Sequence, residues 1–210
     1  MIKEIKTVVK ETESKIEMKK SVFIAHLIPI TSEDDAKEKI ERIKKEYKDA
    51  THNVPAYRTV DASSNMIIEK CSDDGEPQGT SGKPILDLLK HKDLLNVLIV
   101  VTRYFGGTLL GTGGLVKAYT DSAKNVLEEA DTVTLKLKDH YKIKCDYESF
   151  NKIKKRFEDL NFDIENITYN IDIDFDLYLL EDDNNVSCFN DIISEYNDNV
   201  IVKKLDAVYK

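Results

Sequence analysis

From Ile171 to Leu179, apolar residues alternate strictly with Asp172, Asp174, Asp176 and Tyr178. A period of two with acids on one side predicts a strand with one wet face. The surrounding pattern predicts its neighbours. Thr132–Tyr147 alternates as a strand, and Phe150, Ile153, Phe157 and Leu160 mark one face of a helix. Phe162–Tyr169 reads as a strand. Val186, Phe189, Ile192, Ile193 and Tyr196 form a second helical face, and Val200–Tyr209 closes as a strand. The order β-α-β-β-α-β predicts a ferredoxin-like domain.

The first half is less regular. Ile16–Ile30 reads as strand material. Ser32 then caps a helix whose first turn holds Glu33, Asp34 and Asp35, acids that suit the positive end of the helix dipole. Ala36, Ile40, Ile43 and Tyr47 follow on one face. Val54–Val60 and Met66–Glu69 read as strands, and Pro84 opens a helix to about His91. The aliphatic run Val97–Val101 continues to Thr102 as a buried strand, and Gly113 opens a helix to Ala130. The expected fold class is α/β (α+β). An N-terminal domain with a mixed sheet and packed helices covers residues 1–132, and the ferredoxin-like domain covers 133–210.

Composition narrows the setting. Hydrophobic residues make up 41% and charged residues 33%, which fits a soluble globular protein. Met1-Ile2-Lys3-Glu4 leads into no apolar segment, and the five-residue run at Val97 falls far short of the roughly 20 residues of a spanning helix. Cys71, Cys145 and Cys188 are odd in number and far apart, neither a disulfide framework nor a metal motif. A cytoplasmic location, no membrane and no metal or other cofactor are the expectations. The net charge of −8 is uneven: residues 131–210 hold 11 Lys/Arg against 18 Asp/Glu, leaving 20 against 21 in residues 1–130. Any phosphate-binding surface therefore belongs to the first domain, as a local patch.

All eight glycines lie between Gly75 and Gly114. They fall in two segments, Ser72-Asp73-Asp74-Gly75-Glu76-Pro77-Gln78-Gly79-Thr80-Ser81-Gly82-Lys83-Pro84 and Thr102–Tyr119. Neither is a P-loop, since Gly79 stands too close to Gly82-Lys83. Neither is a dinucleotide fingerprint, since Val116 replaces the third glycine. The second segment still reads as strand, glycine-rich loop and helix, an arrangement that aims backbone N–H groups at an anion. Arg103 ends the strand, and Lys117 falls in the helix's first turn, where a cation opposes the dipole unless an anion sits nearby. The candidate anion or nucleic-acid contacts are Arg58, Lys83, Arg103, Tyr104, Gly106, Gly107, Gly111, Thr112, Gly113, Gly114 and Lys117, with phosphate or sulfate as the simplest ligand. Tyr57, Tyr104, Phe105 and Tyr119 offer stacking faces for bases. His52, Asp73, Asp74 and Glu76 form an acidic or pocket group: the three acids read as oxygen ligands for a divalent cation, as partners of Arg103 and Lys83, or as an Asx turn with Gly75 in the left-handed position, and His52 as an acid–base group or a hydrogen-bonded structural histidine.

These two segments, with Ala50–Arg58 and Ser21–Ala25 upstream, closely resemble the YigZ/IMPACT family over residues ~15–130. The tail is similar to the second domain of bacterial members, itself similar to the last domain of elongation factor G. The resemblance implies a role in translation. Eukaryotic relatives restrain a stress pathway that lowers initiation, by binding a partner protein, and bacterial members look RNA- or ribosome-associated. It implies no catalytic set. Many relatives carry arginine where this chain has Lys117, which keeps the charge but loses bidentate pairing. The expected partners are RNA, the ribosome or a translation-regulatory protein. The alternative is an enzyme acting on a small anionic, phosphorylated substrate. A third reading uses Asp172, Asp174 and Asp176 to attract a basic protein.

Overall fold

The structure, a computed structural model, describes residues 2–61, 64–180, 182–196 and 199–210. The chain divides into two compact units: residues 5–134, and residues 135–210 together with 2–4. The strand β1 (Glu4–Val8) spans that division. Lys6 accepts a hydrogen bond from the Leu95 N–H in the first unit, while Lys3 accepts one from the Leu137 N–H in the second.

The first unit is built on an antiparallel sheet. Its strands in chain order are β2 (Thr12–Met18), β3 (Ser21–Pro29), β4 (His52–Val60), β5 (Ile67–Cys71) and β6 (Val97–Tyr104). Their order across the sheet is β2-β3-β6-β4-β5. The central strand β6 explains the uninterrupted aliphatic run. Leu98 and Val100 pack with Ala36, Ile40 and Ile43 of helix α1 (Glu33–Glu46). Val97, Ile99 and Val101 face the opposite core, with Ile85 and Leu89 of α2 (Gly82–His91) and Ala118, Tyr119 and Ala123 of α3 (Thr112–Glu128). A strand covered on both faces has no wet side, so alternation disappears from its sequence. Ser32 caps α1 by accepting from the Asp35 N–H at 3.1 Å.

The strand material of Ile16–Ile30 belongs to the hairpin β2–β3, turning at Lys19-Lys20 with Met18 opposite Ser21. Both lysines take positive φ, 47° and 67°. Two-residue hairpins favour positive φ at both central positions and usually place Asn or Gly there. Lysines carry no such signal, which is why the pattern hides the turn.

The second unit follows the predicted order: β7 (Thr132–Cys145), α4 (Tyr147–Asp159), β8 (Asp163–Tyr169), β9 (Ile173–Leu180), α5 (Asp183–Ser194) and β10 (Val200–Tyr209). The strand order β10-β7-β9-β8, antiparallel throughout, is ferredoxin-like. Phe150, Ile153 and Phe157 of α4 and Phe189 and Ile192 of α5 close over Ile143, Phe175 and Leu177. Burial pushes the Cys145 thiol up to about 11, so it stays an inert core residue. The wet face of β9 is not a free acidic surface. Asp176 meets His140 at 3.1 Å, and Asp172 meets Lys144 at 3.1 Å. His140 and Lys144 of β7 pair with those two acids across the strand pair.

Candidate functional site

The loop between β5 and α2 folds back over the end of β6 and is held there by its own acids. Asp73 accepts hydrogen bonds from the N–H groups of Gly79 (2.8 Å), Ser81 (3.1 Å) and Gly82 (2.9 Å) and from the Ser81 hydroxyl (2.7 Å). It thereby satisfies donors at the start of α2, whose N-cap Ser81 makes no side-chain cap of its own. Asp74 accepts from the Asn53 N–H at 2.7 Å and lies 3.2 Å from Lys44, and its carbonyl meets His52 Nδ1 at 2.7 Å. These carboxylates are therefore loop staples, in keeping with the structural one of the readings the sequence left open. No group of acids, histidines and cysteines among the described residues is arranged to hold a metal.

Partial burial pushes the Asp73 carboxyl up, but the hydrogen bonds from Gly79, Ser81 and Gly82 outweigh it and hold the group below its ordinary value. A carboxyl depressed in the folded state contributes stability above its unfolded pKa, ordinarily 3.8, and loses that contribution as pH falls through the folded value. Asp73→Asn is therefore expected to cost about 1–3 kcal/mol at neutral pH. In urea unfolding across an acid series, the difference from wild type should shrink below about pH 4. A difference that stays constant down to pH 2 would show that Asp73 carries no charge-dependent contribution.

Glu76 is the one acid of this loop that points inward. Its side chain is 3% exposed. One oxygen takes the Arg103 guanidinium at 2.5 Å and the Tyr119 hydroxyl at 2.8 Å, with His52 Nε2 at 3.8 Å. Burial, and then the neighbouring Glu76, push the Tyr119 phenol far up, so it remains a neutral donor. Arg103 is also buried, between the rings of Phe23 (5.5 Å) and Phe105 (5.6 Å). Its Nε has no hydrogen-bond partner among the described residues.

Arg103 and Arg58 were expected at the surface, and the structure corrects both. Arg58 is buried, donates to the carbonyl of Leu94 at 2.9 Å and pairs with Glu69 at 2.9 Å. Both guanidiniums serve the interior of the first unit and are closed to a phosphate. The pair of Arg103 with Glu76, 27 positions apart, is one the sequence offered, but its burial is not legible there. Tyr57 and Tyr119 are likewise core residues. Tyr104 is half-buried and donates to Asp49 at 3.0 Å.

The remaining candidates gather at the solvent side of the loop from Phe105 to Lys117. Phe105 is 46% exposed and Leu109 82% exposed. Gly106 packs so tightly on the hairpin turn that an added Cβ would lie 2.0 Å from the Lys20 carbonyl oxygen. Gly107 (φ 81°) and Gly111 (φ 74°) sit in the left-handed region that favours glycine. Gly111 is the N-cap of α3 and supplies no side-chain cap; Thr112 and Gly113 are exposed, Gly114 is half-buried, and the first turn holds no acid. Space around Gly107, Gly111 and Gly113 is open. Because α3 begins at Thr112, Lys117 lies in its second turn and pairs with Asp121 at 2.8 Å. That corrects the expected unfavourable cation in the first turn. Lys83 pairs with Asp87 in the same i,i+4 manner along α2. Lys19 and Lys20 were not anticipated. Both are exposed, with no ion-pair partner among the described residues, and the Lys20 backbone lies against Gly106.

A glycine-loop α+β unit followed by a ferredoxin-like unit defines the architecture, and comparison with known proteins places it. Residues 19–127 match the family described as the Impact N-terminal domain. The chain is 39% identical over 179 residues to IMPACT family member YvyE of Bacillus subtilis, covering 85% of this chain and 81% of that one. It is 38% identical over 138 residues to IMPACT family member YigZ of Escherichia coli, covering 66% and 67%. A crystal structure of a hypothetical protein superposes with a TM-score of 0.67 at 27% identity, covering 98% of this chain and 99% of the other. The chain belongs to the IMPACT family.

Proposed function

We propose that this protein is a translation-associated binding protein whose first unit takes the phosphate backbone of RNA, free or on the ribosome, at the glycine-loop face. The observation that carries the reading is the open N-terminus of α3. It has no side-chain cap and no first-turn acid, and the space beside Gly111 and Gly113 is open. Backbone N–H groups at such an end attract anions. Exposed Lys19 and Lys20 beside Gly106, and Lys117, whose surface pair with Asp121 is cheaply exchanged, supply the charge. Family membership supports the link to translation. Lys83, already paired along α2, is a peripheral contact at most.

A patch of about three phosphate contacts predicts modest affinity with a log–log salt slope of about −2 to −3. Raising salt fourfold should weaken binding about 16- to 64-fold. Co-sedimentation of the full chain with ribosomes and total RNA, wild type against Lys19→Ala/Lys20→Ala/Lys117→Ala, tests this. All three side chains are exposed, so the variant should fold normally.

A second reading, an enzyme acting on a small phosphorylated substrate, draws support from the convergence of His52, Glu76 and Arg103. It is the weaker one. Glu76 is already occupied by Arg103 and Tyr119 and closed from solvent, so it offers a substrate no open carboxylate.

A further inference from the structure

The geometry points to Phe105 as a stacking platform for an unpaired nucleobase, which makes single-stranded rather than duplex RNA the ligand of this face. The inference rests on the proposed reading that RNA engages the glycine loop. It begins with a ring that has no packing duty on its outer side. Phe105 is 46% exposed although phenylalanine is among the residues most often buried. One side is backed by the Arg103 guanidinium, 5.6 Å from the ring centroid. The other partners of Arg103, Glu76 and Phe23, belong to the core, so the backing is fixed.

The backbone beneath the ring is fixed as well. The Phe105 N–H donates to the Thr51 hydroxyl at 3.1 Å, and the Gly106 N–H to the Ser21 hydroxyl at 3.2 Å. Gly106 is pressed against the Lys20 carbonyl, leaving the loop little room to shift there. A ring held in place before binding loses little entropy when a base stacks on it. The hairpin turn carries two exposed lysines, Lys19 and Lys20, and its Lys20 carbonyl lies against Gly106, one residue from Phe105. An exposed aromatic ring with lysines on the neighbouring turn can take a base and its phosphates together.

A duplex cannot use this platform, because its bases are already stacked and paired and show no face to a side chain. The arrangement supplies a π-face and charge but no set of base-edge donors aimed outward. Recognition should therefore be tolerant of sequence.

The chain has no tryptophan, so Phe105→Trp introduces a single reporter at the platform itself. Binding is followed at low salt by anisotropy of a labelled RNA and by quenching of that tryptophan, with a short oligoadenylate and a hairpin duplex of equal length. The expected result is quenching by the single strand and none by the duplex. Phe105→Ala should weaken the single strand about tenfold and leave the duplex unchanged. Binding of both RNAs without quenching, with Phe105→Ala equal to wild type, would overturn the platform and leave phosphate binding standing. Failure of either RNA to bind the folded protein would overturn both.

Discussion

Arg103→Ala is expected to destabilise the first unit by about 3–5 kcal/mol, the cost of breaking a buried pair by removing one partner. Glu76 would be left with its side chain 3% exposed, the Tyr119 hydroxyl at 2.8 Å and, farther off, His52 Nε2 at 3.8 Å. The carboxylate would then have to take up a proton or drag the Asp73–Ser81 loop open toward water. Arg103→Lys should fall between, because an ammonium cannot reproduce the planar contact with Phe23 and Phe105. Amide hydrogen exchange is the measurement, since it reads the two units separately. Protection should fall in β3, β4 and β6 and persist in β7 and β9. Loss of less than about 1 kcal/mol would mean that water already reaches the pair. The same prediction warns that RNA binding lost in an Arg103 variant reports on folding and not on contact.

Gly106→Ala has the second large effect. Its Cβ would lie 2.0 Å from the Lys20 oxygen, 2.1 Å from the Lys20 carbonyl carbon and 2.5 Å from the Ser21 nitrogen. All three are backbone atoms, so no side chain can swing away. The loop must lift off the hairpin, breaking the bond from Gly106 N–H to Ser21. A cost of about 1–3 kcal/mol or more is expected, together with displacement of Phe105. Gly113→Ala is the contrast. It meets nothing within 4 Å and lies inside α3, where alanine is favoured over glycine by about 1 kcal/mol. Urea unfolding should show the two substitutions moving the first unit in opposite directions. Equal, small effects would mean that the close approach at Gly106 is easily relieved.

Much of the fold was legible because the patterns that encode it are local. The alternation in β9 and the helical faces of α4 and α5 led directly to the ferredoxin-like unit, and the Val97–Val101 run to a strand buried on both sides. What stayed hidden was non-local or carried no signal. The turn at Lys19-Lys20 lacks the residues that normally announce positive φ, so no turn was legible within that strand material. The β1 strand is too short, and too mixed in charge, to stand out. The glycine segments marked the site region, but their roles divide only in three dimensions. Gly106 is required by a close approach, Gly111 by its φ, and Gly113 by neither. The charged candidates were sorted by burial, which composition cannot convey. Arg58, Arg103 and Glu76 went inward, Asp73 and Asp74 were consumed by the loop, and Lys117 moved one turn along its helix. The lysines that face solvent at the platform came from a segment that offered no motif.

Co-sedimentation of the intact chain with ribosomes and total RNA at low and moderate salt tests the central claim most directly, with Lys19→Ala/Lys20→Ala/Lys117→Ala as the comparison. The account predicts binding that falls as salt rises and is largely lost in the variant, whose hydrogen-exchange protection matches wild type. Binding by both proteins alike would put the contact elsewhere on the chain. No binding by folded wild-type protein at low salt would contradict the translation-associated reading itself.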